Sequence, residues 1–238
     1  MKIVIIHGQS HKGASYHVGR ALVEQLGAEE DITELFLPKD MPHFCCGCYQ
    51  CMKSEDKCPH YEWVKPITQS MDEADLLVFT TPVYCLRTTG SMKALLDHLF
   101  VQWISHRPKE IMYFKRAVVI AAGAGTGMKG AAKDIETSLK FWGISDIQIY
   151  QLRSMAMSWG GVNDKSKAKI DQDMKALADK LKAAGKPTRV SFNRKIMFHL
   201  MRKMQLAGWG ACPEDKAYWV ENGWLGKNRP WKRKPSAE

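Results

Sequence analysis

Five of the seven cysteines stand in one short stretch of the chain, between residues 45 and 58. Cys45, Cys48, Cys51 and Cys58 follow the spacing C-x2-C-x2-C-x6-C, and Pro59 follows the last of them. Four thiolates this close in sequence suit a [4Fe–4S] cluster. Zinc would accept the same ligands, although structural zinc sites usually use two separated pairs. Free or redox-active thiols are the third alternative, and the spacing leaves all three open.

A second group of polar residues follows the first apolar run, Ile3 to Ile6. Val18, Leu22 and Leu26 then recur at helical spacing. A helix that starts in this loop offers unpaired backbone N–H groups and a partial positive charge, so we expect an anion there. The loop holds hydroxyl and basic side chains, at Ser10, His11, Lys12, Ser15 and Tyr16. It lacks both the dinucleotide and the Walker patterns, which favours one phosphate monoester, as in FMN; an ordinary polar turn is the alternative.

Further apolar runs predict four more strands, over 32–37, 76–80, 116–122 and 147–150, and helices over 63–71, 90–103, 131–142 and 165–184. Strands that alternate with helices imply a parallel sheet with right-handed crossovers. Ligands of such sheets bind beyond the carboxyl ends of the strands. We therefore expect two more loops beside the first one: 81–89, with Pro82, Val83 and Tyr84, and 123–127, which has three glycines in five residues.

The net charge of +10 is concentrated at the end of the chain. From Lys186 onward there are twelve Lys/Arg and four Asp/Glu, a net of +8, so residues 1–185 carry only +2. We therefore divide the chain into a domain over 1–185 and a basic extension over 186–238. No apolar run approaches the roughly 20 residues of a membrane span, and no leader pattern follows Met1, so we expect a cytoplasmic protein.

The extension contains an amphipathic basic segment. Phe192, Ile196, Leu200 and Met204 are spaced by four, with basic residues between them, and several tryptophans follow. We expect this helix and the tryptophans to pack onto the first domain or across a dimer interface. A membrane-surface helix is the alternative. We expect no nucleic-acid partner, because no recognition motif accompanies the charge.

Together these motifs resemble the flavodoxin-like NAD(P)H-dependent FMN reductases and, within them, the iron–sulfur flavoproteins. The family's first loop typically reads Gly-Ser-x-Arg-Lys-Gly-Ser-Thr; here residues 8–15 read Gly-Gln-Ser-His-Lys-Gly-Ala-Ser. The family's second block is matched by Ala74-Asp75, Pro82-Val83-Tyr84, Lys93 and Asp97-His98. The chain departs from the family at Gln9, Ala14, His11 and His98, the last two replacing arginines. A histidine is a weaker and pH-dependent partner for a phosphate.

The resemblance implies an α/β fold, a flavodoxin-like doubly wound five-stranded parallel sheet of order 2-1-3-4-5, here with a C-terminal helical basic extension. It implies FMN, with its phosphate at Ser10, His11 and Ser15 and with Lys12 and Tyr16 beside it. The isoalloxazine ring would lie between Pro82-Val83-Tyr84 and Gly123-Ala124-Gly125. NAD(P)H would be the co-substrate, a quinone or a flavin the small-molecule acceptor, and a homodimer or larger homo-oligomer the assembly. An electron carrier with FMN and a [4Fe–4S] cluster is the alternative, and a flavin-free binding module is a third one. No catalytic acid or base is required.

Overall fold

The computed structural model describes residues 1–208 and 212–232. One parallel sheet has the order β2-β1-β3-β4-β5, which confirms the predicted order. Its strands are β1 (Ile3–His7), β2 (Ile32–Phe36), β3 (Leu76–Pro82), β4 (Arg116–Gly123) and β5 (Asp146–Arg153). The helices that accompany the sheet are α1 (Ala14–Glu24), α2 (Tyr61–Glu73), α3 (Gly90–His98), α4 (Met128–Phe141) and α5 (Asp164–Ala183).

The three central strands are buried on both faces, because helices cover the sheet on both sides. One apolar cluster packs α2, α3 and α4 against one face, and a second packs α1 and α5 against the other. Gly19 lets α1 approach the sheet closely, since a Cβ there would lie 2.7 Å from Thr80 Cγ2. The double layer explains why the strands are nearly continuous apolar runs in the sequence.

The predicted helix over 90–103 is too long at its C-terminal end. Helix α3 ends at His98, and a short 3₁₀ turn covers Phe100–Gln102. The chain then turns inward, where Ile104 is fully buried and its N–H donates to the Phe141 carbonyl at the end of α4. This tertiary contact outweighs the local helical pattern.

The C-terminal extension packs onto the first domain through a third apolar cluster. Helices α6 (Phe192–Ala207) and α7 (Pro213–Glu221) contribute Phe198 and Trp219, which join Ile104 and Tyr113 of the first domain. The sequence did not predict α7. Residues 209–211 and 233–238 of the extension lie outside the described residues.

The predicted apolar face of α6 is wrong. Phe192, Ile196 and Leu200 are 75%, 51% and 55% exposed, whereas Phe198 is fully buried. The buried face of α6 also carries two polar side chains that reach backbone carbonyls of the first domain. These are Arg194, which donates to the Lys140 carbonyl, and Gln205, which donates to the Ser105 carbonyl. Within the described residues, no helix is both long and apolar enough to cross a bilayer.

Candidate cofactor site

The loop after β1 is fastened to its neighbours through Gly8. The Gly8 N–H donates to the Thr80 carbonyl at 2.7 Å, and the Gly8 carbonyl accepts from Thr89 Oγ1 at 2.6 Å and Ser91 Oγ at 2.7 Å. A Cβ at Gly8 would lie 3.0 Å from Thr89 Oγ1. These contacts fix the start of the loop against β3 and the first turn of α3.

The N-terminus of α1 is open to an anion. Gly13 is the N-cap and supplies no side-chain acceptor, and the first turn holds no acidic residue. The N–H groups of Ala14, Ser15 and Tyr16 have no acceptor among the described residues, and the first bond of the helix runs from the His17 N–H to the Gly13 carbonyl. Free N–H groups at the positive end of a helix fit a phosphate group.

The predicted phosphate-binding side chains surround this helix end, with one partial exception. Ser15 is buried in the first turn, His11 and Lys12 are exposed, and Lys12 Nζ lies 5.1 Å from the Tyr16 ring centroid. Ser10 instead donates from Oγ to the Leu37 carbonyl after β2, at 3.1 Å. The hydroxyl of Ser10 therefore keeps only its acceptor lone pairs for other partners.

Two further residues near this loop were not singled out by the sequence. The His17 ring stacks on Trp159, with centroids 4.6 Å apart and planes at 16°. Burial, as the largest cause, holds the pKa of His17 below its usual value. Residues 17 and 159 are far apart in sequence, so no local pattern connects them.

His7, the last residue of β1, was also missed. It is 1% exposed and lies 2.8 Å from both Thr80 Oγ1 and Glu34 Oε1. Burial lowers the pKa of His7 more than the Glu34 carboxylate raises it. His7 therefore joins β1 to both neighbouring strands immediately before the loop.

The second predicted loop, after β3, contains a tight hairpin. Tyr84 and Arg87 exchange two backbone hydrogen bonds, of 3.0 and 2.9 Å, around Cys85 and Leu86. Cys85 and Leu86 have φ values of 49° and 63°, as in a type I′ turn. Residues other than glycine in such conformations cost on the order of 1–3 kcal/mol each, and an ion pair from Arg87 to Asp134 of α4 holds the turn in place.

The third predicted loop, after β4, packs directly on the second. A Cβ at Gly123 would lie 3.1 Å from Val83 Cβ, and one at Gly127 would lie 2.7 Å from Val83 Cγ1. Gly127 also has a φ of 96°, which favours glycine. The structure therefore packs Val83 of the second loop against Gly123 and Gly127 of the third, at the carboxyl ends of β3 and β4.

A cavity of about 350 Å³ adjoins the first and second of the predicted loops, between the loop after β2 and the start of α3. Its wall is mainly apolar and aromatic, with Met41, Phe44 and Tyr84, and Gln9 and Ser91 add polar groups. Phe44 is 73% exposed. A larger cavity of about 510 Å³ lies at the opposite end of the sheet, beside Leu76 and Arg116, and does not adjoin the three loops.

The four predicted metal ligands share one loop and influence one another. The pKa of Cys51 is raised to about 11, first by burial and then by the thiolate charges of Cys58, Cys45 and Cys48. Burial also raises the pKa of Cys58. Within the described part of the chain, no three of these sulfurs lie within 4.8 Å of one another. That spacing does not form a site for one zinc ion.

A different group of ligand atoms is more compact. Sγ of Cys58 and one ring nitrogen each of His60 and His98 all lie within 4.8 Å of one another, the only such group of three in residues 1–208 and 212–232. His60 Nδ1 is 3.0 Å from His98 Nε2. No local sequence pattern connects these residues, because His98 lies 38 positions after His60.

Comparison with known proteins identifies one matching family model and several similar proteins. A family model described as NADPH-dependent FMN reductase matches residues 1–152. An iron-sulfur flavoprotein from Archaeoglobus fulgidus is 22% identical over 227 residues, which cover 94% of this chain and 100% of that protein. An FMN-dependent NADH:quinone oxidoreductase from Hydrogenovibrio crunogenus is 28% identical over 108 residues, 40% of this chain and 53% of that protein. The chain therefore spans the whole of one relative and about half of the other.

Among solved structures, an FMN-dependent NADH-azoreductase from Bacillus anthracis, in complex with FMN, matches with a TM-score of 0.57. The sequence identity is 16%, and the match covers 76% of this chain and 99% of that one. This likeness concerns the fold, and it confirms the expected flavodoxin-like architecture.

Proposed function

The chain belongs to the NADPH-dependent FMN reductase family, and we propose from this that it passes electrons from NADPH or NADH to a small aromatic acceptor such as a quinone or a flavin. It is an oxidoreductase, and FMN is its cofactor. When bound, FMN supplies the chemistry, because it accepts a hydride from the nicotinamide and passes the electrons on. The observation that carries the proposal is the open N-terminus of α1 beside the two packed loops.

The residues present fit FMN. The free N–H groups of Ala14, Ser15 and Tyr16 would hold the phosphate, with Lys12 adding positive charge. His11 stands where the family typically has arginine, and an imidazole is a weaker partner for a phosphate than a guanidinium. The hairpin at Tyr84 and the glycine loop at Gly123 would orient the flavin ring from two sides.

The cavity beside Tyr84 supports an aromatic acceptor. At about 350 Å³ it is within the usual range for small-molecule sites, which are mostly apolar with a few polar groups. Phe44 and Tyr84 offer ring faces for a planar molecule, and Gln9 offers an amide that lies 3.5 Å from the Tyr84 hydroxyl. A quinone complements these groups, because it has a flat apolar ring and two carbonyl acceptors.

Reconstitution tests this function. Apoprotein is loaded with FMN and mixed without oxygen with NADPH or NADH, and the flavin absorbance is followed before and after a quinone is added. We expect the flavin bands to bleach with the nicotinamide and to return with the quinone. Failure to bind FMN, or failure of both nicotinamides to bleach it, would reject the proposal.

A second candidate function is electron transfer between protein partners through FMN and a [4Fe–4S] cluster held by Cys45, Cys48, Cys51 and Cys58. The presence of these four cysteines in one loop, together with the full-length similarity to an iron-sulfur flavoprotein, favours it. The absorption spectrum of protein purified without oxygen separates the two functions. A broad iron–sulfur shoulder, together with reduction by a low-potential protein but not by NADPH, would support the carrier.

We also propose that two copies of the chain form a homodimer. Several large apolar side chains are exposed around the flavin loops, including Leu86 at 57%, Met155 at 77% and Met157 at 96%. Exposed apolar surface is typical of binding surfaces, and a second copy of the chain would cover these residues. Light scattering on the FMN-loaded protein tests this: a monomer at micromolar concentration contradicts it.

A further inference from the structure

We propose that Cys58, His60 and His98 bind one divalent transition-metal ion of the zinc class, and that this ion fastens the cysteine loop, residues 38–60, to α3. The three ligand atoms already lie within 4.8 Å of one another. Cys58 and His60 come from the end of the cysteine loop, whereas His98 is the last residue of α3. One ion would therefore bridge two elements that are otherwise separate in sequence.

His98 has the tautomer that metal binding needs. Its side chain is buried, at 5% exposure, and Nδ1 lies 2.8 Å from the Ala94 carbonyl oxygen. Because a carbonyl oxygen only accepts, Nδ1 carries the proton and Nε2 carries a free lone pair. Metal-binding histidines are commonly oriented in this way, with the second ring nitrogen donating to a backbone carbonyl.

The ring of His60 is also held in place. His60 Nδ1 points at His98 Nε2 over 3.0 Å, and the His43 ring stacks on His60 with centroids 4.4 Å apart and planes at 7°. Trp63 packs edge-on against His43. Without a metal, His60 Nδ1–H donates to His98. With a metal, His60 carries its proton on Nε2, and Cys58 releases its thiol proton to solvent.

The donor set indicates the class of ion. Two imidazole nitrogens and one thiolate suit zinc and related ions, and three protein ligands leave a fourth position for water. The site competes with a four-cysteine cluster, because both need the thiolate of Cys58.

The test uses the full-length protein and Co²⁺ as a spectroscopic substitute for Zn²⁺. Absorption during a Co²⁺ titration reports thiolate and imidazole ligation, and zinc, iron and sulfide are measured in protein as purified. We expect one ion per chain. His98→Arg and Cys58→Ser should lower the affinity by more than the roughly 10–100-fold that loss of a second-shell partner causes. Cys48→Ser and His199→Gln, which leave the three ligands intact, should bind as the wild type does.

Two results would overturn the proposal. One is four irons and four sulfides per chain that Cys48→Ser removes and His98→Arg does not. The other is Co²⁺ binding that is unchanged by His98→Arg. Circular dichroism and FMN content in the same samples show whether each variant is folded. If His98→Arg does not fold, His98→Gln replaces it as the test variant. Metal binding is measured without electron transfer. The metal-site proposal can therefore be tested even if the proposed electron-transfer function is rejected.

Discussion

Replacing Ser15 by aspartate tests the phosphate position, because it should change protein stability and FMN affinity in opposite directions. Ser15 is the second residue of α1, whose first turn has no acidic side chain and whose first N–H groups are free. A carboxylate at such a position typically stabilises a helix by about 0.3–1 kcal/mol. The apoprotein should therefore be as stable as the wild type or slightly more stable.

The same carboxylate should repel a phosphate bound at these N–H groups. Two like charges about 5 Å apart interact by about 3 kcal/mol at an effective dielectric constant of about 20. Since about 1.4 kcal/mol is a factor of ten, FMN should bind at least about 100-fold more weakly to Ser15→Asp. Ser15→Ala, which removes only one hydroxyl, should lose about 1 kcal/mol of binding, or roughly fivefold.

The assay is FMN titration of the apoprotein by flavin fluorescence quenching, with urea unfolding of the same samples. Asn193→Asp is the control for the effect of a carboxylate on helix stability alone, because Asn193 is the exposed second residue of another helix, α6. If Ser15→Asp bound FMN within about threefold of the wild type while remaining folded, the phosphate would not lie at the N-terminus of α1.

Three further predictions concern stability and are checked by urea unfolding. Because burial holds the pKa of His7 below 6.5, the unfolded chain takes up a proton at this residue that the folded chain does not, so stability should fall as the pH drops below about 6.5. His7→Gln should flatten that dependence, and an unchanged pH profile would contradict the assignment. Phe198→Ala should cost about 3–5 kcal/mol because the side chain is fully buried, whereas Phe192→Ala should change little; equal effects would mean that the extension is not packed as described. Gly127→Ala should cost more than about 1 kcal/mol, because of its φ of 96° and the contact with Val83, whereas Gly125→Ala, which meets nothing within 4 Å, should be neutral.

The strands were predictable because a sheet covered on both faces needs apolar residues at nearly every position. All of Ile3–His7, and all of Leu76–Pro82 except Pro82 itself, are buried. The three ligand loops followed from the parallel topology, which places the carboxyl ends of neighbouring strands together. The strand order came from the family resemblance, not from the strands themselves.

The features that sequence reasoning missed depend on contacts between distant residues. Arg194 and Gln205 lie on the buried face of α6, where they donate hydrogen bonds to backbone carbonyls 54 and 100 residues away. A count of apolar spacing along α6 favours Phe192 and Ile196 instead. Cys85 and Leu86 have left-handed backbone conformations, but neither is a glycine or an asparagine, so the sequence does not mark the turn. Their conformation depends on packing against Gly127.

The third apolar cluster has a consequence for how the protein is made. Tyr113 and Ile104 are covered by Phe198 and Trp219 of the extension, which leave the ribosome roughly a hundred residues later. The sheet and its first helices can form during synthesis, since domains generally fold as units. Until the extension emerges, however, the nascent chain presents an uncovered aromatic surface. This side of the domain is therefore completed only after residue 224 has been synthesised, and a chain truncated near residue 185 would have an exposed, aggregation-prone side.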